Sequence, residues 1–325
     1  MRCGNRRGCG KLWLSRLLVS LRSKPWRVAL VVLVVCAAAV GVVYWLRNSS
    51  YDAGRLLGML PSDRATLVSI DTDALRKSGL LGLVAGSKAA EEADYRKFVE
   101  QTGFDYRTDL DAVAAAFVDG RVYTTLRGRF QWTKLKAYAE SQGGQCRDSV
   151  CSMPGSSPER NISFYQVTSN VLALAVSMDP RGVTSIGPGG RKIELPKPLD
   201  PVWISVPAAV FNRLDAFPDG TRAFLSPLAR AEKITFAAGP QGDRLQLRLE
   251  VVCATPQAAA DLTKQLSGVT GLLKDMIGRA HMTPNPRDLS GVLVAGRFEQ
   301  RAATVIGTWP IERGFVEALA SGQIQ

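Results

Sequence analysis

Two aspartates behind an apolar run have the spacing that comes nearest to a catalytic motif in this sequence. Asp71-Thr72-Asp73 directly follows the apolar run Leu67 to Ile70. Phosphatases that use an aspartate nucleophile place such a D-x-D at a strand end, around Mg²⁺. Here Leu75 stands where those enzymes carry threonine or valine. We therefore favour a helix start, with Asp71 or Thr72 as the cap and Asp73 opposite the helix dipole.

The sequence contains few other residues that could form a catalytic site. His281 is the sole histidine, and there is no G-x-S-x-G motif. Asp105, Asp109 and Asp111 crowd one segment, but their spacing misses the EF-hand pattern. We expect no catalytic residue, no metal and no cofactor, and we predict that the protein is not an enzyme.

Two cysteines have a spacing that permits a small disulfide loop. Cys146 and Cys151 stand in the segment QCRDSVCSM. An oxidising compartment would allow them to pair, and two free thiols are the alternative. A zinc site is poorly supported, because metal-binding cysteine pairs recur or come with histidine. Cys253 ends an apolar run and is predicted to be a core residue.

Five arginines lie in or beside two segments of alternating polarity. Alternation with period two predicts antiparallel strands that have one apolar and one solvated face. The arginines form a possible face for an anionic partner, although an ordinary solvated face is the plainer interpretation. They are Arg121, Arg127, Arg129, Arg244 and Arg248.

One apolar stretch is long enough to cross a bilayer. Val28 to Leu46 is nineteen residues without a charge. As a helix it would span roughly 28 Å, close to a hydrocarbon core. We predict a retained membrane anchor. A cleaved signal peptide is the alternative, because Ala37-Ala38-Ala39 could serve as its cleavage site.

The charge distribution predicts the topology of that anchor. The net charge is +12, from 41 Lys and Arg against 29 Asp and Glu. Eight of the basic residues precede Val28, and the first acidic residue is Asp52. This asymmetry predicts a cytoplasmic N-terminus and an extracytoplasmic, periplasmic C-terminal bulk. The remainder is nearly balanced, so we expect no binding of nucleic acid.

The order of predicted elements repeats along the chain. Each half reads as strand, helix, two strands, helix, strand and helix, which suggests a duplicated unit. The predicted fold class is α+β: a single N-terminal transmembrane helix followed by two related modules of antiparallel sheet covered by helices on one face. We expect a basic cytoplasmic segment at 1–27, the transmembrane helix at 28–46, a tether at 47–62, a first module at 63–186, a linker at 187–199 and a second module at 200–325.

Three segments carry a resemblance to a known group of proteins. They are PSDRATLVSID, GRFQWTKLKAYAESQGG and TPQAAADLTKQL. With the apolar stretch, they make the chain resemble uncharacterised bacterial envelope proteins that are grouped only as a domain of unknown function. The resemblance covers most of residues 50 to 325, and it implies an N-terminal membrane helix and repeated α+β units. It implies no activity and no site residues.

Together these patterns predict an anchored protein without catalytic activity. We expect a non-enzymatic binding or scaffold subunit of an envelope or membrane complex, with the membrane and other envelope proteins as partners. One alternative is a protein that binds a lipid or another apolar ligand between helices and sheet. The other is an unrecognised hydrolase that uses Asp71 and Asp73.

Overall fold

The structure, a computed structural model, describes residues 51–84, 93–157, 159–187, 193–212, 222, 224–242, 244–281 and 283–320. The predicted cytoplasmic segment at 1–27 and the predicted transmembrane helix at 28–46 lie outside these ranges. Within the described ranges, no helix is both long enough and apolar enough to cross a membrane.

Twelve strands of the described residues form one sheet, in which every pairing is antiparallel. They are β1 (Thr66–Ile70), β2 (Leu110–Val118), β3 (Arg121–Gly128), β4 (Gln145–Arg147), β5 (Val150–Pro154), β6 (Asn161–Thr168), β7 (Val171–Ser177), β8 (Val202–Val206), β9 (Lys233–Gln241), β10 (Arg244–Val252), β11 (Arg297–Arg301) and β12 (Thr304–Ile311). Their order across the sheet is β11-β12-β10-β9-β8-β1-β2-β3-β7-β6-β5-β4.

The helices fall between these strands or flank them. They are α1 (Ala53–Gly58), α2 (Thr72–Lys77), α3 (Leu81–Val84), α4 (Ala93–Thr102), α5 (Tyr106–Asp109), α6 (Trp132–Ser141), α7 (Pro256–Arg279), α8 (Leu289–Val294) and α9 (Arg313–Ala320). Short 3-10 turns lie at Gly182–Ser185, Ala208–Asn212 and Ser226–Arg230. The α+β class expected from the sequence is therefore present, built on a large antiparallel sheet.

The two halves of the sheet meet at the pair β1 and β8. Leu67 lies opposite Ser205, and Ile70 lies opposite Val202. Outward from this pair, one side continues as β2-β3-β7-β6 and the other as β9-β10-β12-β11. The order of strands along the chain is thus mirrored about the centre of the sheet. The first half adds the edge hairpin β5-β4, and β11 forms the opposite edge.

Because side chains alternate along a strand, the register assigns each residue to one of two faces. Thr125 shares a face with Ala114 and, through successive pairs, with Trp203 and Arg248; we call this the Thr125 face. Leu126 shares the opposite face with residues that include Leu247; we call this the Leu126 face.

In the first half, α1 covers the Thr125 face. Leu56 and Leu57 are fully buried there, and the Thr125 hydroxyl donates a 3.0 Å hydrogen bond to the carbonyl oxygen of Leu56. The sheet beneath them is built from small residues, including Ala114 and Ala116, which leave room for a helix to approach closely. The segment expected to be a tether at 47–62 therefore supplies much of a core.

A second cluster covers the Leu126 face of the same half. There α6 contributes Leu135 and Ala139, which pack with Cys151, Phe164 and Leu172. Two faces of this half are thus covered, whereas the sequence pattern predicted cover on one face only. The prediction was wrong because Tyr123 and Thr125 are polar, and their polarity indicated a face in contact with solvent. In the structure the exposed fractions of these two side chains are 5% and 0%.

The second half follows the expected pattern. Its Leu126 face carries Leu249, Val251 and Trp309 under α7, α8 and α9. On its Thr125 face the described residues include the exposed Arg244 and Arg248. The strands β4, β5 and β11 were not predicted, because each is short; β4 and β11 are also rich in polar residues.

We predict that Leu57→Ala destabilises the protein by about 3 kcal/mol, because a buried leucine truncated to alanine leaves a cavity in a packed core. Urea unfolding followed by circular dichroism measures the change. Leu272→Ala on α7 is the matched control, and at 56% exposure it should change stability by less than about 0.5 kcal/mol. Equal effects of the two substitutions would contradict the assignment of α1 to the core.

Candidate functional site

An apolar cavity lies between the second half of the sheet and the helices on its Leu126 face. Its volume is about 230 Å³. Its lining consists entirely of apolar side chains, drawn from the sheet, from α7, α8 and α9, and from the 3-10 turn at Ser226–Arg230 with the two residues before the turn. The lining residues are Phe224, Leu225, Leu228, Phe236, Leu247, Leu249, Leu266, Leu289, Val292, Leu293, Phe298, Trp309, Ile311 and Phe315.

The sequence places these side chains by simple periodicity. Leu247 and Leu249 alternate along β10 with solvent-facing polar residues, so both face the helices. On α7 the buried positions Ala259, Leu262, Leu266 and Thr270 recur at helical spacing, which presents one stripe to the sheet. Large side chains from several helices and strands converge here, and they do not fill the space between them.

Such a volume is unusual in a protein core. Native interiors hold few voids larger than a water molecule. An engineered apolar cavity of about 150 Å³ stays dry and binds small apolar molecules. The space of about 230 Å³ leaves the apolar side chains that line it without packing partners on one side. The cavity can accept an apolar molecule, and its lining offers no group for catalysis.

A larger groove, of about 540 Å³, lies beside the start of α1. Its walls are Asp52, Ala53 and Gly54 on one side and residues 193–199 on the other. Polar and charged groups share these walls with apolar ones, and Ile193 N donates a 3.1 Å hydrogen bond to the oxygen of Gly54 across it. We regard the smaller cavity as the better candidate, because apolar burial there is not offset by desolvation of polar groups.

The D-x-D pair is engaged in holding α2. Asp71 is the N-cap, and its Oδ1 accepts a 2.8 Å hydrogen bond from Ala74 N. Asp73 forms ion pairs with Arg76 at 3.3 Å and with Lys77 at 2.6 Å. These contacts are those of a helix start, which agrees with the favoured interpretation of the sequence.

The five arginines of the expected anionic-partner face are not gathered into one site. Arg248 pairs with Asp200 at 3.1 Å, and Arg244 lies 3.8 Å from Glu312. Arg129 pairs with Asp109 at 3.2 Å. Carboxylates thus neutralise three of the five.

The other two arginines of that set belong to β3. Arg127 donates a 2.9 Å hydrogen bond to the oxygen of Tyr51, and its Nε is buried without a partner among the described residues. Arg121 is exposed at the start of the strand. Since Arg127 faces α1 rather than solvent, the face expected from sequence is interrupted in the first half.

The structure joins Cys146 and Cys151 in a disulfide across β4 and β5, with a Cα–Cα distance of 4.0 Å. Cys151 is buried in the cluster under α6. Cys253 is a free, buried cysteine, and desolvation raises the pKa of its thiol. His281, the sole histidine, is exposed at the end of α7.

A polar cluster orders the connection between α4 and β2. Arg107 pairs with Asp105 at 2.6 Å, and the Tyr95 hydroxyl donates a 2.9 Å hydrogen bond to Asp105. The hydrogen bonds from Arg107 are the main cause that lowers the pKa of Asp105 to about 2. Burial and the hydrogen bond to Asp105 raise the pKa of Tyr95 to about 12. Both shifts follow from a satisfied structural network at the surface.

Metal binding finds no support in the part of the chain that the structure describes. Those residues contain no group of three or more His, Cys, Asp or Glu side chains that could hold a metal ion. Asp105 forms an ion pair with Arg107. Asp109 forms an ion pair with Arg129 and accepts a hydrogen bond from Asp105 N.

The described residues form an α+β protein with a broad antiparallel sheet and a wholly apolar cavity. No protein-family model matches the chain, and no curated protein matches its sequence. Among solved structures, crystal form I of TP0453 has a TM-score of 0.48 at 11% identity, covering 82% of this chain and 98% of that chain. Crystal form IV of TP0453 has a TM-score of 0.48 at 13% identity, covering 84% and 97%. Likenesses at this level carry no argument about function.

One of the helices that line the cavity has a signal in the sequence. Leu289, Val292 and Leu293 form a short apolar run between two polar segments, and no predicted element contained them. This run forms α8, which closes one side of the cavity.

We predict that native protein isolated without a reducing agent has Cys146 and Cys151 paired. Under non-reducing conditions an alkylating reagent should leave both unmodified even after unfolding, and should label both after reduction. By loop closure alone, replacing both with alanine should cost about 2 kcal/mol of stability. Peptide mass spectrometry provides the measurement. Cys253 is the internal control, since it should react on unfolding without reduction; rapid labelling of Cys146 in folded protein would contradict the pairing.

Proposed function

We propose that this chain is a single-pass, membrane-anchored extracytoplasmic protein that binds an apolar ligand in the cavity of its second half. The observation that supports it is the cavity of about 230 Å³ whose lining is entirely apolar. Bound apolar matter would recover the packing that the empty space forgoes, and it would add the free energy of its own transfer from water.

The anchored, extracytoplasmic location is supported by three properties of the chain. The nineteen-residue stretch from Val28 to Leu46 has the length of a membrane span. The basic residues before it favour a cytoplasmic N-terminus. A disulfide between Cys146 and Cys151 suits an oxidising compartment. A periplasmic location would satisfy all three.

We further propose that the described fold consists of two related modules, at 63–186 and 200–325, with a connection at 187–199. The mirrored strand order about β1 and β8 supports a duplication. The two modules differ in structure. In the first, α1 packs on the sheet and forms a second core, whereas the apolar cavity lies in the second module. A ligand therefore concerns the second module alone.

We predict that Leu247→Phe weakens binding of a neutral apolar fluorophore, N-phenylnaphthylamine, by at least about tenfold. The larger ring should occupy part of the cavity that the fluorophore needs, and filling a void is often neutral or stabilising. The matched control is Leu245→Phe, because Leu245 lies on the same strand and face but does not line the cavity. Fluorescence titration of the purified, folded protein gives the affinities.

Two results would count against this proposal. One is an absence of saturable fluorophore binding by the unchanged protein. The other is equal affinity of the Leu247→Phe and Leu245→Phe variants, which would place the fluorophore elsewhere. Thermal unfolding of both variants would show whether each keeps its fold.

A scaffold subunit of an envelope complex is the second candidate, and one observation favours it. The last two and a half turns of α7, from Gly271 to Arg279, contain no buried residue. Leu272 and Met276 lie one turn apart there, each with 56% of its surface exposed. An apolar pair on a helix that extends past its own core is a suitable contact for another protein.

We predict for the scaffold candidate that Leu272→Ser with Met276→Ser releases proteins that co-purify from membranes solubilised in a mild detergent. The loss of apolar contact area should weaken association without touching the core, since both side chains are exposed. Lys274→Ser on the same stretch is the control. If the unchanged protein migrates alone as a monomer, the scaffold candidate loses its support.

A further inference from the structure

A cationic side chain contacts α9 at the residue next to one that lines the apolar cavity. Arg287 is two residues before Leu289, and its side chain lies against Gly314, the neighbour of Phe315; Leu289 and Phe315 both line the cavity. A Cβ atom built on Gly314 would stand 3.1 Å from both Cγ and Nε of Arg287. The glycine therefore leaves the space in which the aliphatic part of Arg287 lies.

The backbone around Arg287 is held by its own turn. Arg287 N donates a 3.0 Å hydrogen bond to Oδ1 of Asn285, and Asp288 N donates a 3.1 Å hydrogen bond to the oxygen of Asn285. Asp288 then caps α8 through a 3.1 Å hydrogen bond from Gly291 N. The side chain of Arg287 thus starts from a fixed point between α8 and α9.

Three acidic side chains at the start of α8 and around α9 already have partners. Asp288 accepts the capping hydrogen bond, Glu312 lies 3.8 Å from Arg244, and Glu317 pairs with Arg313 at 3.1 Å. Among the residues that the structure describes, no carboxylate forms an ion pair with Arg287. Its exposed guanidinium group therefore has donors to offer to an anion from outside the chain.

The size of the cavity limits what can enter it. Its volume of 230 Å³ is below the roughly 300–1,000 Å³ of pockets that enclose a whole drug-sized ligand. An unbranched apolar chain can fill such a space and leave the polar end of the molecule outside. That end needs a partner at the rim.

We infer that the ligand is a single-chain amphiphile with an anionic head group, whose apolar chain fills the cavity and whose head group binds Arg287. The inference rests on the proposed function and adds the class of ligand. A carboxylate and a phosphate share the required chemistry, since both accept paired hydrogen bonds from a guanidinium group.

Competition against N-phenylnaphthylamine in the folded protein tests this inference. The competitors are dodecanoate, dodecyl phosphate and neutral dodecanol, and the variants are Arg287→Gln and, as the control, Arg279→Gln at the exposed end of α7. Arg287→Gln should weaken dodecanoate or dodecyl phosphate by about tenfold or more and leave dodecanol unchanged. Which anion loses more identifies the head group. Shorter fatty acids should bind about fourfold more weakly per methylene removed.

The neutral fluorophore separates the two proposals. Suppose that the fluorophore binds all variants equally, and that Arg287→Gln changes the affinity of none of the three competitors. The inference about the head group is then wrong, and the proposed apolar site is unaffected. An equal loss of anion affinity in Arg279→Gln would also overturn it. If the fluorophore does not bind the unchanged protein, the proposed function fails, and this inference fails with it.

Discussion

Backbone hydrogen bonds between β1 and β8 hold the two halves of the sheet in one register. The pairing runs from Leu67 opposite Ser205 to Ile70 opposite Val202, and Asp71 N extends it with a 2.7 Å hydrogen bond to the oxygen of Pro201. A slip of one residue at this pair would turn the leucines of β10 toward the opposite face. This backbone pairing therefore decides which face of the second half of the sheet is continuous with which face of the first.

Although the two halves share one register, they differ in what covers the Thr125 face. On the Thr125 face, the first half presents alanines to α1, whereas the second half presents Arg248 and Glu250 to solvent. Trp203 lies between these regions and is 3% exposed. Small side chains allow a helix to pack closely on a sheet, and charged ones keep the face in water. One continuous sheet thus has a two-sided core in one half and a one-sided core in the other.

Local pattern was sufficient to predict the class of fold and most strand positions. The alternation of polarity in β10 predicted its apolar face correctly, because this strand buries one face against neighbours close in sequence. The Thr125 face of β3 was mispredicted, since the cover comes from Leu56, 69 residues away from Thr125 in sequence. The helix-start role of Asp71 was predictable, because a cap is a local interaction.

The cavity itself could not be predicted from sequence. Leu247, Leu293 and Phe315 are ordinary core residues by type, and whether they fill the space between them depends on angles between elements. Arg287 likewise has no motif; its place beside the cavity follows from the missing side chain of Gly314. Sites made by incomplete packing leave no pattern in a single sequence, unlike sites made by ligating or catalytic residues.

The two edges of the sheet determine whether further chains can add to it. An open antiparallel sheet ends in strands whose backbone groups could pair with another molecule and so start a growing fibril. At one end β11 carries Arg297, Glu299 and Arg301, and at the other β4 is only three residues long. Charge at one end and shortness at the other oppose such addition. A sheet this wide can therefore remain finite even at a high local concentration of the protein.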